Sequence, residues 1–303
     1  MTSQILVGID RTPAHEAVSL ATALAVLTGS ELVLGAVYGY DSGNFGGLSW
    51  PPREDADGWL KEAESRLDGQ GLPWRSLKVG AESVAEGLVS LAERESASMI
   101  VLGSSHRGAM GRVLAGSTVR RVIHGAPCAV AVAPHRWQPL PPNASVAIGA
   151  ALAAAPEACD ALVLAARLSA AAHARLQVIT VVQEPVAAHP MFAATGTSYE
   201  RWVAEARSMA QHRAHEVLAV VAPDADAGVV VLDGDPLERL THASERLDLL
   251  VLGSRRYGPV RTTLLGGVSS PLIERAACPL IIVPRGIHAP AASLNGARVA
   301  VQA

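Results

Sequence analysis

The 303-residue sequence predicts an α/β protein built from two copies of one unit. Three observations lead to this prediction. Half of the residues are hydrophobic and 17% are charged, so the chain can bury a large core, and its length suits about two domains of ~100–200 residues. Motifs of the first half return in the second half at a constant offset. Strand-like and helix-like segments alternate in each half, which is typical of parallel sheets covered by helices.

The repeat is clearest when Val101–Ser104 is placed over Val251–Ser254, at an offset of 150 residues that holds without a gap. Beyond those four identities, seven more pairs match: Gly108/Gly258, Leu114/Leu264, Gly116/Gly266, Ile123/Ile273, Ala126/Ala276, Cys128/Cys278 and Pro134/Pro284. The predicted units are residues 1–136 and 144–286. The Pro-rich segment 137–143 is the predicted linker, and residues 287–303 are the predicted tail.

Composition and charge exclude several classes of function. Lys and Arg number 25 against 28 Asp and Glu, so there is no basic excess to bind nucleic acid. The cysteines, Cys128, Cys159 and Cys278, have no zinc-site spacing. The most membrane-like stretch, residues 144–155, is too short to span a bilayer, and no basic segment precedes the first apolar run. We therefore expect a cytoplasmic protein without nucleic-acid, membrane or structural-metal partners.

Each element of the first half has a local signal. Short apolar runs predict strands, and amphipathic stretches that begin or end at Pro or Gly predict helices. The predicted strands are Gln4–Ile9, Glu31–Tyr38, Trp74–Val79, Ser98–Gly103 and Cys128–Ala133; the predicted helices are Pro13–Thr28, Trp59–Leu67, Glu82–Glu95 and Ser117–His124; residues 41–57 are a predicted surface loop. The second half repeats this order, so we expect a parallel sheet with right-handed crossovers in each unit.

A glycine-containing loop lies between the fourth strand, which ends at Gly103, and the helix that begins near Gly116-Ser117. Ligands of open α/β sheets bind beyond the carboxyl ends of the strands, and a helix N-terminus presents free N–H groups to phosphate. Asp10 follows the first strand, where its carboxylate can reach a ribose hydroxyl or a metal-bound phosphate. This pattern indicates an anion site; the alternative is that the glycines only make turns.

At these residues the chain resembles the universal stress protein family in its tandem form. The family's ATP-binding pattern is G-x2-G-x9-G-(S/T), and the first half reads Gly103-Ser104-Ser105-His106, nine residues, then Gly116-Ser117. The resemblance implies two Rossmann-like domains with five parallel strands each, in the order 3-2-1-4-5, and ATP as the ligand, with or without Mg²⁺. It places adenine at the strand-two backbone around Val37, ribose near Asp10, and phosphates at Gly103, Gly116 and Ser117. The implied nucleotide contacts are Gly8, Ile9, Asp10, Val37, Leu102, Gly103, Ser105, His106, Gly116, Ser117 and Thr118.

Both halves depart from the family pattern. His106 stands in place of the second glycine, and we expect it to make nucleotide binding weaker and pH-dependent, unless it faces solvent and has no effect. In the second half Arg256 takes that place, Gly267 replaces the Ser/Thr, and Ala151 takes the place of Asp10. The second half therefore predicts a weaker, degenerate site formed by Gly253, Gly266 and Gly267.

The predicted function is that of an adenine-nucleotide-binding regulatory protein of the bacterial stress response, without robust catalysis and without catalytic residues. No Walker A lysine or other catalytic motif occurs in the sequence. Two alternatives stay open: a nucleotide-free protein-interaction scaffold, and a slow ATPase. We expect the two units to form an intramolecular pseudo-dimer that contacts a protein partner, and further homodimerisation is left open.

Overall fold

The computed structural model describes residues 3–10, 14–39, 53–104, 116–141, 144–153, 159–183, 199–256, 263–264 and 267–284. The first unit contains β1 (Gln4–Ile9), α1 (His15–Thr28), β2 (Glu31–Gly39), α2 (Arg53–Leu67), β3 (Trp74–Ala81), α3 (Val84–Arg94), β4 (Met99–Gly103), α4 (Ser117–Gly125) and β5 (Ala129–Ala133). The second unit contains β6 (Ala147–Ala151), α5 (Cys159–Ala171), β7 (Arg175–Val182), α6 (Tyr199–Val221), β8 (Ala227–Asp233), α7 (Pro236–Ser244), β9 (Leu249–Arg256), β10 (Thr263–Leu264), α8 (Ser269–Leu272) and β11 (Leu280–Pro284).

The two units share one continuous sheet. Its strand order is β3-β2-β1-β4-β5-β11-β9-β6-β7-β8, and β10 pairs only with β9. Within each unit the main strands are parallel, and β1 lies between β2 and β4. The units meet where β5 and β11 pair antiparallel, with Ala131 opposite Ile281. The α/β class predicted from alternating segments is therefore confirmed, and the units join edge to edge.

The hydrophobic core lies on both faces of this sheet. Helices α1, α2, α5 and α6 cover one face, and α3, α4, α7 and α8 cover the other. The largest fully buried side chains are Leu and Ile, among them Leu6, Leu34 and Ile100. Strands buried on both faces read as continuous apolar runs because every side chain meets a helix layer. This is why the strands of this sequence were predictable from composition.

Local capping sets several helix boundaries. Helix α1 ends at Gly29, which has a left-handed φ of 64°, and its N–H donates to the carbonyl of Ala25. Helix α3 starts after Ser83, whose hydroxyl accepts from the N–H of Glu86 at 3.1 Å. Helix α7 starts in the same way after Asp235. These signals involve neighbours in sequence, so they can be read from the sequence alone.

One predicted boundary is wrong. The structure begins α2 at Arg53, so the predicted loop at 41–57 overlaps a helix by five residues. The five Gly and Pro residues that suggested a loop all precede Arg53, and Glu54 and Asp55 in the first turn favour a helix because they complement its N-terminal partial charge. Residues 40–52 lie outside the described part of the chain.

An ion-pair network fastens the edge of the first unit at the amino ends of its strands. Arg75 on β3 donates to Glu95 at 2.7 Å, to Glu31 at 3.2 Å and to the side chain of Gln4 at 3.1 Å. The hydrogen bond from Arg75 holds the pKa of Glu95 below its ordinary value. The carboxylate side chain is 17% exposed, so this contact ties β3 to the end of α3.

Substitution of this carboxylate should lower stability in a pH-dependent way. We expect Glu95→Gln to lower the free energy of unfolding by about 1 kcal/mol at pH 7, because Arg75 is partly solvated and water screens the pair. Since folding lowers the pKa of Glu95, its contribution is present above the ordinary value of 4.5 and is lost as pH falls through the lowered pKa. Chemical denaturation at pH 7 and pH 3 tests this; a difference of equal size at both pH values would contradict it.

Candidate functional site

An open cleft lies at the carboxyl ends of β1 and β4. Strands β2 and β3 lie on one side of this point and β4 and β5 on the other, so it is the topological switch point of the sheet. Its empty volume is about 530 Å³, including space open to solvent. The lining residues come from β1 and its end, the start of α1, α3, the end of β4 and the start of α4: Gly8, Ile9, Asp10, Ala14, Glu16, Val84, Leu88, Leu102, Gly103, Ser104, Thr118 and Val119. In open α/β sheets this switch point is where ligands bind.

The apolar floor of the cleft depends on Gly8. A Cβ atom at this position would lie 2.6 Å from Cδ2 of Leu102 and 3.1 Å from Cδ1 of Leu88, so the Leu102 side chain would have to shift. Without a side chain at Gly8, both leucines close over β1 and form a smooth apolar surface. In the second unit the register of β6 on β9 places Ala151 at the position of Gly8, so this glycine is specific to the first unit.

The polar part of the cleft contains a buried hydroxyl group. Ser104 is 9% exposed, and its backbone N–H donates to the carbonyl of Ala133 at 2.9 Å. Its Oγ is buried and has no hydrogen-bond partner within the part of the chain that the structure describes. A buried, unpaired hydroxyl is unfavourable by about 1–3 kcal/mol, so this atom fits a group that supplies a hydrogen bond from within the cleft.

Helix α4 points its N-terminus towards the cleft. Gly116 is its N-cap residue, with φ −63° and ψ 170°, and no side chain caps the helix. The first N–H groups of a helix lack intrahelical partners and carry a partial positive charge. Thr118 and Val119, in the first turn, line the cleft, whereas Ser117 is exposed. An anion next to Ser104 would meet these N–H groups.

A comparison with protein families shows which family this chain belongs to. The model of the universal stress protein family matches residues 1–134 and, a second time, residues 147–284. These two matches span most of the chain. The chain belongs to the universal stress protein family.

Curated relatives of this universal stress protein carry the same family name. Universal stress protein Rv2319c of Mycobacterium tuberculosis is 27% identical over 207 residues, covering 67% of this chain and 69% of the relative. Universal stress protein Rv2005c of the same species is 28% identical over 256 residues, covering 77% and 82%. These relatives agree with the family match.

Solved structures of other proteins show the same fold. A functionally unknown protein from Pseudomonas aeruginosa superimposes with a TM-score of 0.67 at 16% identity, covering 95% of this chain and 94% of that chain. A universal stress protein from Archaeoglobus fulgidus gives a TM-score of 0.63 at 18% identity, covering 93% and 98%. Together with the double family match, they confirm the predicted tandem fold.

The structure of this universal stress protein brings together part of the predicted site. Gly8, Ile9, Asp10, Leu102, Gly103 and Thr118 all line the cleft. Gly116 and Ser117 lie at the start of α4 without lining it. Val37 is 2% exposed and packs beneath Gly87 of α3, so its side chain is in the core. Ser105, His106 and Gly266 lie outside the described residues.

The sequence analysis missed several residues of the cleft. Glu16, Ser104, Val84, Leu88 and Val119 line it but were not assigned. Ser104 had an available signal, since it directly follows Gly103 and is identical in both halves. Glu16 had none, because its burial depends on how α1 packs against the end of the sheet.

The second unit differs from the first at the matching position. Strand β9 continues to Arg256 and pairs with β10, with Arg255 opposite Leu264 and Arg256 opposite Thr263. Gly267 precedes α8, which has only four residues, and Gly253 lies on β9. The second unit thus lacks the long helix whose N-terminus faces the cleft of the first unit.

Other reactive groups do not add to the site. Burial raises the pKa of both Cys128 and Cys278 to about 12, so these thiols stay protonated at neutral pH. Within the described ranges, no group of three or more His, Cys, Asp or Glu side chains could hold a metal ion. The helices that the structure describes include none long and apolar enough to cross a membrane.

Proposed function

We propose that this universal stress protein binds an adenine nucleotide, ATP, in the cleft of the first unit and that binding regulates the protein. The observation that carries the proposal is the buried, unpartnered hydroxyl of Ser104 beside the uncapped start of α4. A phosphate there accepts a hydrogen bond from Ser104 and from the first N–H groups of the helix. Both features sit at the topological switch point of the sheet.

The rest of the cleft suits the uncharged part of a nucleotide. Asp10 follows β1 and provides carboxylate oxygens, the acceptor type that binds ribose hydroxyls in related α/β sites. Leu88, Leu102 and Val84 provide an apolar surface for a base. The resemblance of the glycine loop to the family's ATP-binding pattern supports ATP as the ligand. A Mg²⁺ ion that accompanied the phosphates would take its oxygen ligands mainly from phosphate and water.

Regulation, and not robust catalysis, is the proposed outcome of binding. Among the described lining residues, the ionisable side chains are Asp10 and Glu16, both acidic. Phosphoryl transfer needs cations that neutralise charge as it develops on the phosphates. The two lysines of the chain, Lys61 and Lys78, lie on α2 and β3. We propose that the nucleotide shifts conformation or the choice of a protein partner.

Gly116→Val tests the phosphate assignment. The φ of −63° at Gly116 is accessible to any L residue, so the backbone does not itself require glycine. We expect ATP affinity to fall about tenfold or more because the new side chain blocks the approach to the helix N-terminus. The free energy of unfolding should change by less than about 1 kcal/mol. Calorimetry and chemical denaturation measure both; unchanged affinity would contradict the assignment.

A further inference from the structure

Glu16 is a buried carboxylate that both lines the cleft and bonds to the chain that leaves β5. It lies in the first turn of α1, is 8% exposed and lines the nucleotide cleft. Its Oε1 atom accepts the backbone N–H of Arg136 at 2.6 Å and lies 3.4 Å from Nδ1 of His135. A buried carboxylate requires hydrogen-bond donors, and here the chain that leaves β5 supplies them. The start of the segment between the units is thus fixed to the wall of the cleft.

The linker turn at this point depends on that contact. The N–H of Trp137 donates to the carbonyl of Pro134 at 3.1 Å, which closes a turn over residues 134–137. Arg136 has a φ of 60°, a left-handed conformation that L residues other than Asn and Asp rarely adopt. A short bond to an ionised carboxylate is a strong compensating interaction. Glu16 therefore stabilises a turn that is unfavourable for Arg136.

The two helices that begin at the cleft also touch the second unit. Helix α1, which carries Glu16, packs against α5. Helix α4 contacts β10, and its Arg120 forms an ion pair with Glu274. Trp137, the residue after the Glu16-bound amide, packs against the core that runs through both units. A change at the mouth of the cleft thus reaches the second unit along α1, α4 and the linker.

Resting on the proposed nucleotide site, we propose that Glu16 is a positioning residue that couples occupancy of the cleft to the linker. A nucleotide in the cleft lies against the carboxylate that holds the Arg136 amide and restricts its movement. The linker turn then opens less often, and the second unit is held more firmly against the first. Because coupling between two sites is reciprocal, loosening the linker weakens nucleotide binding by the same factor.

Hydrogen exchange in the full-length protein tests this coupling. Calorimetry first gives the Kd of each variant for ATP. The exchange rate of each variant is then measured without ATP and at an ATP concentration that is the same multiple of its own Kd. In the wild type, ATP should slow exchange of the peptide 134–141 at least fivefold. Glu16→Ala removes the acceptor, so exchange without ATP should rise about tenfold and the slowing by ATP should disappear. If this variant does not fold, Glu16→Gln should still raise exchange at least threefold because the bond loses its charge.

Glu95→Ala is the matched control. It removes a carboxylate that also accepts from an arginine, but at the opposite end of the strands, away from the cleft and the linker. This variant should be less stable, but ATP should still slow hydrogen exchange of the peptide 134–141 as much as in the wild type. The coupling is overturned if ATP binds the wild type without changing exchange there, or if Glu95→Ala loses the slowing as Glu16→Ala does. Absence of ATP binding in the calorimetry overturns the proposed function, and the coupling with it, before any exchange is measured.

Discussion

The full-length protein is expected to bind one ATP per chain, and Asp10→Ala is expected to weaken this binding about 10–100-fold. A hydrogen bond to an ionised carboxylate contributes about 1.5–3 kcal/mol, and each 1.4 kcal/mol corresponds to a factor of about ten in affinity. Asp10 lines the cleft, so its loss removes acceptors that the ligand uses. Isothermal titration calorimetry gives both the stoichiometry and the change in Kd.

Two features of the second unit explain why we expect one ATP per chain. The sequence predicted Ala151 at the position of Asp10, but the pairing of β6 with β9, compared with that of β1 with β4, places Ala153 there. Within the described residues β9 pairs antiparallel with β10, and α8 has four residues where α4 has nine. Ala153→Asp is the matched control, because it adds the carboxylate without lengthening the helix. This variant should still bind one ATP. Two equivalents in the wild type, or an unchanged Kd in Asp10→Ala, would contradict the assignment to the first unit.

Two glycine-to-alanine substitutions in helices of the first unit should change stability in opposite directions. A Cβ at Gly87 of α3 would lie 2.7 and 2.9 Å from the two γ-methyl groups of Val37 and 3.1 Å from Cβ of Ala81. The β-branched side chain of Val37 is restricted at χ1 and Ala81 cannot move its Cβ, so the helix itself must shift. We expect Gly87→Ala to lower the free energy of unfolding by about 1–3 kcal/mol.

Gly58 of α2 provides the matched comparison. Nothing lies within 4 Å of a Cβ built at this position, so alanine adds helix propensity without a clash. We expect Gly58→Ala to raise the free energy of unfolding by about 0.5–1 kcal/mol. Chemical denaturation of both variants measures the two effects. The same sign for both would show that α3 does not pack against β2 as closely as described. Because α3 also carries Val84 and Leu88, Gly87→Ala should weaken ATP binding as well, whereas Gly58→Ala should not.

The sequence by itself determined the repeat, the α/β class and the position of the switch-point loop. These features have local signals: apolar runs mark strands buried on both faces, Gly29 ends α1 through its own left-handed φ, and eleven identities at one offset mark the duplication. Asp10 and Gly103 were found for the same reason, since each directly follows or ends a recognisable strand. What a residue does within its own segment can be read from its neighbours in the chain.

Only the tertiary structure decided which residues meet across the sheet. The side chain of Val37 is buried under Gly87, because the distance between α3 and β2 depends on both elements. Glu16 accepts the backbone N–H of Arg136, 120 positions away, and β9 pairs antiparallel with β10. The antiparallel pairing of β5 with β11 likewise joins segments about 150 residues apart. Such contacts arise from the packing of whole elements, and a single sequence carries no local signal for them.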